Sequence, residues 1–406
     1  MEERTRISIQ KIKDNAIKTA VFNALNDINA NSLFKKIGMK ILIKPNILMA
    51  KPPEDAVDTH PEVVRSVIQW IKQFKPAKIY VCDSSGGQKP GITEESIKVS
   101  GIGKVCEEEG AECIPFEKTK RKYYKIENPL ELEGIYSSEL LKEVDLIVNV
   151  PKIKTHGQCL LTCSIKNMFG TVLLSNKARV HANAATLDRF TSALVDIYSV
   201  SKPQLTIVDG YLCQEGQGPS KGDIVKLGII LAGFDGVALD SVICKIIGFD
   251  ISDVLYLKKA ESRNLGTTKL ENIELLGEDL ESVKRSFKKP KIHPVSIPVP
   301  HWLANYIGKT VFKARVEFDK KKCRLCGTCW DNCPVKAINP PEVIKKGNVP
   351  KWNKKKCITC YCCVELCPYQ AVDFKLNFAK NFMLSWLGLS CIIIILAIIG
   401  IIFWLI

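Results

Sequence analysis

The chain has 406 residues, enough for about two domains, and its 46% hydrophobic and 25% charged residues exclude a disordered chain. The net charge of +15 lies in the C-terminal part, because residues 284–382 contain 21 Lys and Arg but only 6 Asp and Glu. Nucleic acid is nevertheless not expected as a partner, since the basic segment lacks the interleaved aromatic residues of single-strand binders.

Residues 1–283 are predicted to form an α/β domain with a mainly parallel sheet. Short β-branched runs alternate here with amphipathic helical stretches, which is the pattern of such folds. No apolar segment follows the first residues, so no signal peptide is expected, and the 17 cysteines fit a reducing compartment. The predicted strands are residues 40–43, 78–82, 145–150, 205–208 and 273–276, and the predicted helices are residues 61–74, 184–200 and 235–247.

Polar loops follow four of these strands and begin at Lys44, Asp83, Pro151 and Asp209. Ligands of parallel α/β sheets bind at the carboxyl ends of the strands, so the loops predict a single cleft. Its lysines would suit a small anionic ligand, either a carboxylate or a phosphate. The ligand-binding candidates are Lys44, Asn46, Lys152, Lys166, Asn167, Gly216 and Gly218.

His156 is the predicted general acid or base, because histidine is the side chain best suited to proton transfer near neutral pH. Lys154 and Asp83 are the other catalytic candidates. Each has a structural alternative: His156 can be a packed core residue, and the loop at Asp83 can be a simple turn of Asp, Ser and Gly. A metal site at His156, Cys159 and Cys163 is a further alternative, but no fourth ligand stands nearby in the sequence.

Several motifs of this region occur together. They are Lys44-Pro45-Asn46, Asp83-Ser84, Pro151-Lys152-Ile153-Lys154-Thr155-His156, Lys166-Asn167-Met168-Phe169-Gly170, Glu215-Gly216-Gln217-Gly218-Pro219, and Asp235 with Asp240. In these motifs the chain resembles the domain of unknown function 362 family over about residues 5–280. The resemblance implies that the loops form one site and that two ferredoxin-type clusters often follow the domain. It leaves the reaction and the substrate open.

Residues 284–318 are predicted to be a basic linker, because Lys, Pro and β-branched residues dominate its first half. Residues 301–316 within it are amphipathic, with aromatic residues interleaved with basic ones. This stretch would either lie at a membrane interface or pack the next module onto the large domain.

Residues 319–374 are predicted to form a small α+β ferredoxin-like module with two 4Fe-4S clusters. Each half has the spacing C-x₂-C-x₂-C-x₃-C followed by proline, in which three neighbouring cysteines surround one cluster and the fourth reaches the other. The pattern resembles bacterial-type two-cluster ferredoxins. A pair of zinc sites is the alternative, but zinc ribbons use two separated cysteine pairs. The predicted ligands are Cys323, Cys326, Cys329 and Cys367 for one cluster and Cys357, Cys360, Cys363 and Cys333 for the other.

Residues 383–406 are predicted to be a transmembrane helix. None of them is charged, and a helix of this length would span about 36 Å, more than a bilayer core of about 30 Å. The basic residues that precede it favour the cytoplasm for its N-terminal side. The chain is therefore predicted to be a single-pass membrane protein with a C-terminal anchor and cytoplasmic N-terminal domains. The lipid bilayer is then a predicted partner.

These features predict a membrane-anchored iron–sulfur protein, for which three hypotheses arise. In the first, it is an oxidoreductase whose clusters exchange electrons with a redox partner protein and with a substrate in the cationic cleft. In the second, it is a non-enzymatic electron-transfer or docking subunit. In the third, the clusters are structural or sensing, and the α/β domain acts on an anion without redox chemistry. No Walker loop or complete dinucleotide motif is present, so neither ATP nor NAD is predicted.

Overall fold

The computed structural model describes residues 4–290 and 315–375, together with residue 390. The strands are β1 Thr5–Lys11, β2 Lys40–Pro45, β3 Lys78–Val81, β4 Glu112–Cys113, β5 Arg121–Lys125, β6 Gly134–Ser138, β7 Leu146–Val150, β8 Lys152–His156, β9 Leu160–Thr162, β10 Leu205–Glu215, β11 Asp223–Gly233, β12 Ile273–Gly277, β13 Arg315–Phe318, β14 Ile338–Asn339, β15 Lys351–Trp352 and β16 Val372–Lys375. The helices are α1 Ile17–Asp27, α2 Pro61–Lys72, α3 Ile92–Val99, α4 Ile102–Glu109, α5 Leu140–Glu143, α6 Ser164–Asn167, α7 Ser175–Asn183, α8 Leu187–Ser201, α9 Gly236–Ile247, α10 Leu255–Ser262, α11 Leu280–Val283, α12 Thr328–Asp331 and α13 Cys362–Glu365.

One mixed, mostly parallel sheet forms the centre of the large domain. Its strand order is β12-β1-β11-β10-β7-β2-β3-β4, and β8 pairs with the second half of β10 and with β9. The strands from β10 to β4 run parallel to one another, whereas β11 is antiparallel to both β1 and β10. The predicted α/β class is therefore confirmed.

Helices cover both faces of this sheet, as the continuously buried strands β2 and β7 require. On one face, α1, α2 and α4 bury an apolar stripe that includes Val21, Val64 and Ile102. On the other face, α8, α9 and α10 pack around Phe190 and Tyr256. The polar motifs are thereby left to the loops and strand ends at the carboxyl edge of β2, β3 and β7.

Most predicted elements are present, but two differ from the prediction. The strand predicted at 205–208 continues to Glu215 as β10, and the motif at Lys152, predicted as a loop, is strand β8. Strands β8 and β10 pair with each other. The charged residues Lys152 and Asp209 interrupt the apolar pattern by which a buried strand is predicted from the sequence. The unpredicted strand β1 pairs with β11 and β12.

The C-terminal module is the small ferredoxin-like module that the cysteine pattern predicts, and its two halves repeat each other. Each half contains one short helix, α12 or α13. The residue before the helix has a left-handed backbone in both halves: Gly327 with φ 92° and Tyr361 with φ 66°. Two antiparallel strand pairs, β13 with β16 and β14 with β15, complete the module.

The predicted membrane anchor is contradicted. A bilayer span needs about 20 consecutive, mostly apolar helical residues, and no helix in residues 4–290 or 315–375 is long and apolar enough to cross a membrane. The longest helix in these ranges, α8, has 15 residues. The predicted helix at 383–406 lies outside the described residues except for Ser390. The single-pass localisation, with its cytoplasmic N-terminal domains, is therefore not retained.

Candidate functional site

A cleft lies between the carboxyl edge of the large sheet and the ferredoxin-like module. Its volume is about 830 Å³ with the open mouth included. The large domain contributes Lys44, Asn46, Asp83, Lys154, Thr162, Lys166, Asn167, Phe169, Lys177 and His181, among others, and the module contributes Asn332, Cys362, Glu365 and Leu366. Six of the residues selected from the sequence as ligand-binding or catalytic are thus brought together in one place: Lys44, Asn46, Asp83, Lys154, Lys166 and Asn167.

Lys44 and Asp83 form a buried ion pair in the cleft wall. Parallel pairing of β2 with β3 brings the two side chains together, with Lys44 Nζ 2.7 Å from Asp83 Oδ1. Asp83 Oδ2 also accepts a hydrogen bond from the backbone N–H of Ile47. Burial lowers the pKa of Lys44, and Asp83 opposes this shift. A Cβ at position 170 would overlap both members of the pair, which is why the motif ends in Gly170.

Amide side chains connect this pair with Lys154. Asn167 on α6 donates to Asn149 Oδ1 at 2.7 Å and accepts from Asn46 Nδ2 at 3.1 Å. Asn46 Oδ1 in turn accepts from Lys154 Nζ at 2.7 Å. Burial lowers the pKa of Lys154, while the nearby Asp58 carboxylate opposes the shift. The network fixes side chains of β7, β8, α6 and the loop after β2 relative to one another.

Two further lysines line the cleft without a carboxylate partner in the part of the chain that the structure describes. Lys166 Nζ lies 5.8 Å from the centre of the Phe169 ring. Lys177 on α7 donates to the backbone carbonyls of Ser84 and Ser85. Burial lowers the pKa of Lys177 to about 8. Lys177 was not selected from the sequence because α7 lies outside the recognised motifs.

His181, also not selected from the sequence, lies in the same wall. Its ring stacks on Phe190 at a centroid distance of 4.4 Å and meets Phe169 edge-on at 5.5 Å. Burial, with Lys166 nearby, lowers the pKa of His181 to about 3, so its imidazole is neutral. Its buried Nδ1 has no hydrogen-bond partner among the described residues. Such a nitrogen is able to form a hydrogen bond with a ligand.

His156, the predicted general acid or base, is buried at the end of β8 and is not one of the residues that line the cleft. Its Nδ1 accepts from the backbone N–H groups of Gln158 and Cys159 at 3.0 and 3.1 Å. Its Nε2 lies 3.2 Å from Oε1 of Glu365 in the ferredoxin-like module. Burial and, next, Lys166 lower the pKa of His156 well below its usual value. In this position His156 is a contact between the two domains.

Three predicted ligand-binding residues also lie away from the cleft wall. Lys152 is fully buried and pairs with Asp209 at 2.7 Å. Gly216 takes a left-handed backbone with φ 71° at the end of β10. Gly218 packs so tightly on β8 that a Cβ would overlap the carbonyl of Thr155. Packing between β8 and β10 therefore accounts for Lys152 and Gly218, and the left-handed backbone accounts for Gly216.

The eight predicted cluster cysteines are free thiols, and their arrangement fits iron–sulfur ligation. Burial, and then the neighbouring Cys367, Cys326 and Cys323, raise the pKa of Cys329 to about 12. The backbone N–H of Ala371 donates to Cys367 Sγ at 3.2 Å, a contact typical of cluster thiolates.

A cubane cluster would distribute four cysteine thiolates over four irons. The second half repeats the arrangement, with Cys363 near Cys360, Cys357 and Cys333 and with the N–H of Ala337 donating to Cys333 Sγ at 3.1 Å.

The module docks on the large domain through contacts that need glycine. A Cβ at Gly157 would lie 2.9 Å from the Tyr361 ring, and one at Gly86 would lie 2.6 Å from Leu366 Cδ2. Ser220 Oγ donates to the backbone carbonyl of Glu365 at 2.6 Å. The module is thus placed directly over the cleft.

Both the large domain and the C-terminal module match known protein families. The domain of unknown function (DUF362) family matches residues 41–245, and the 4Fe-4S dicluster domain family matches residues 322–371. A thylakoid-associated protein of Synechocystis sp. is 28% identical over 318 residues, which is 78% of this chain and 95% of that protein.

Two solved structures show a more distant likeness. The lactate racemase apoprotein from Thermoanaerobacterium thermosaccharolyticum is 12% identical with a TM-score of 0.36, over 58% of this chain and 54% of that one. A protein from Thermotoga maritima is 14% identical with a TM-score of 0.37, over 62% and 58%. The chain spans a little over half the length of these two structures.

The first family match extends over half of the chain and includes the cleft residues of the large domain, and the second contains the eight predicted cluster cysteines. The protein is an iron–sulfur protein that belongs to the domain of unknown function (DUF362) family.

Proposed function

We propose that the protein is an oxidoreductase that binds a small anionic substrate in the cleft between its two domains. The observation that carries the proposal is the shared wall of the cleft: Lys44, Lys154, Lys166 and Lys177 of the large domain lie in the same cavity as Cys362 of the module. Cys362 is adjacent in sequence to the predicted cluster ligand Cys363. A bound anion would therefore lie close to the cysteines that would hold iron.

Two 4Fe-4S clusters belong to this proposal, held by the two groups of four cysteines described above. When bound, they would supply single electrons at the module side of the cleft. A redox partner protein would exchange electrons with the module from outside. Lys322 and Lys321, on the exposed surface before Cys323, would suit an acidic partner.

Different side chains of the cleft would have different roles in binding the substrate. Lys166 and Lys177 would hold the anionic group, because neither forms a direct ion pair with a carboxylate in the described ranges. The Lys44–Asp83 pair is neutral overall, and it would keep Asn167 and Asn46 in place rather than contact the charge directly. Phe169 and Leu366 would exclude water from the bound molecule.

The proposal is tested by replacing Lys166 with alanine. A charged hydrogen-bonding partner in a partly desolvated site contributes about 1.5–3 kcal/mol, so the Kd for inorganic phosphate should rise about 10- to 100-fold. Binding would be measured by isothermal titration calorimetry on oxygen-free, iron-loaded protein, and by the change that phosphate causes in the EPR spectrum of the reduced clusters. The matched control is Lys104→Ala, whose side chain is 79% exposed on α4. Equal phosphate affinity in both variants would contradict the proposed site.

A further inference from the structure

Four buried polar atoms of the cleft wall have no hydrogen-bond partner among the described residues. They are Thr162 Oγ1, His181 Nδ1, Asn332 Oδ1 and Glu365 Oε1, and all four residues line the same cavity. A buried polar atom without a partner is unfavourable, and native proteins contain few of them. Their concentration in one cavity indicates that a ligand completes their hydrogen bonds.

The unpartnered atoms of the large domain belong to groups that can donate. Thr162 is the last residue of β9 and is 5% exposed. The hydroxyl of Thr162 and the neutral imidazole of His181 can each donate one hydrogen bond. They share this wall with the ammonium groups of Lys166 and Lys177. This side of the cleft is therefore suited to an anionic group with several acceptor oxygens.

The unpartnered atoms of the ferredoxin-like module are acceptors. Asn332 is 5% exposed, and its Nδ2 donates to the backbone carbonyl of Thr328 at 2.8 Å, which leaves Oδ1 as the free atom. Oε1 of Glu365 lies 3.2 Å from His156 Nε2, but the two do not meet hydrogen-bond geometry. This side of the cleft is therefore suited to a group that donates.

We infer that the ligand is an anion that carries a hydrogen-bond donor, a hydroxyl or an amine, at its opposite end. The carboxylate or phosphate would lie against Lys166 and Lys177, and the donor would lie against Asn332 and Glu365. The inference rests on the proposed function for the use of this cleft as the binding site. It adds an orientation, in which the hydroxyl or amine end of the molecule contacts the wall formed by the iron-bearing module and the anionic end contacts the lysines of the large domain.

The inference is tested with a series of simple ligands on the full, iron-loaded chain. The series consists of straight-chain carboxylates of two to six carbons with a terminal hydroxyl, a terminal ammonium or no terminal group, and diols of the same lengths. For the best-fitting length, the hydroxyl or ammonium compound should bind at least about tenfold more tightly in calorimetry than the unsubstituted carboxylate and the diol. Comparison of the two substituted sets identifies which donor the site prefers.

A variant of the module wall makes the test specific. Asn332→Leu should remove most of the preference for the terminal donor and leave binding of the unsubstituted carboxylate within about twofold. An iron count shows whether the variant keeps its clusters. If the clusters are lost, Thr162→Val replaces Asn332→Leu and is tested with the same ligands. Thr162→Val should weaken the binding of every carboxylate by a similar factor.

The possible results separate the inference from the proposed function. Equal binding of substituted and unsubstituted carboxylates would overturn the inference and leave the anion site intact. Absence of binding by every carboxylate, with no effect of Lys166→Ala on phosphate, would overturn both. A clear preference for the donor in a protein whose clusters cannot be reduced would overturn the redox function and leave the ligand class standing.

Discussion

Replacing Lys152 with methionine should lower the free energy of unfolding of the large domain by about 3–5 kcal/mol. Lys152 and Asp209 are both fully buried, with Nζ 2.7 Å from Oδ2. Asp209 also accepts hydrogen bonds from the backbone N–H groups of His60 and Tyr211, at 2.7 and 3.0 Å, so it joins α2 to β10. Removing the ammonium would leave this carboxylate in the interior with no opposite charge.

The effect would be measured by urea unfolding followed by circular dichroism. Arg6→Met is the matched control, because Arg6 and Glu274 form an ion pair whose side chains are 46% and 45% exposed, and such pairs contribute about 1 kcal/mol or less. The double variant Lys152→Met, Asp209→Leu should recover part of the loss, since no unpaired charge remains. A loss of less than about 1 kcal/mol for Lys152→Met would show that the pair is not essential to the fold.

Replacing Gly157 with valine should release the ferredoxin-like module from the large domain. Even a Cβ at this position would lie 2.9 Å from the Tyr361 ring, so the larger side chain cannot be accommodated without movement of the module. Overpacking of this kind costs about 1–3 kcal/mol, enough to open a contact built from few residues. Backbone amides of α13 and of the loop at Ser220 should then exchange hydrogen about tenfold faster or more.

The double variant Gly157→Val, Tyr361→Gly provides the matched control for this prediction. It removes the ring that the valine would meet, and glycine suits the left-handed backbone of position 361, where φ is 66°. Exchange in the double variant should return toward the value for the unmodified protein, and the iron content should be unchanged in both. Unaltered exchange in Gly157→Val would mean that the Tyr361 contact does not hold the module in place.

The fold class and part of the site were predictable because they depend on local sequence patterns. The apolar runs of β2 and β7 predict buried parallel strands, and their ends place Lys44 and Asn46 at one edge of the sheet. The regular cysteine spacing likewise predicts the ferredoxin-like module. Strand β8 was not predicted, because the lysines and histidine that it buries are untypical of an interior strand.

The rest of the site depends on tertiary contacts that no local pattern encodes. His181 and Lys177 lie in the cleft only because α7 folds over the loop at Ser84. Asn332 and Glu365 reach it only because the module docks over the sheet edge. His156 could be recognised from the sequence as part of a motif. Its contact with Glu365, and its position outside the lining of the cleft, could not be predicted because both depend on how the module docks.

A potentiometric EPR titration of the full chain, purified without oxygen, would show whether electrons can reach the cleft, with an iron count of the same sample. Two 4Fe-4S clusters held side by side should give about eight irons per chain and two interacting signals that appear at low potential. Phosphate bound in the cleft should also alter these signals. Clusters that cannot be reduced at physiological potentials, or fewer than about five irons per chain, would contradict an electron path to the cleft.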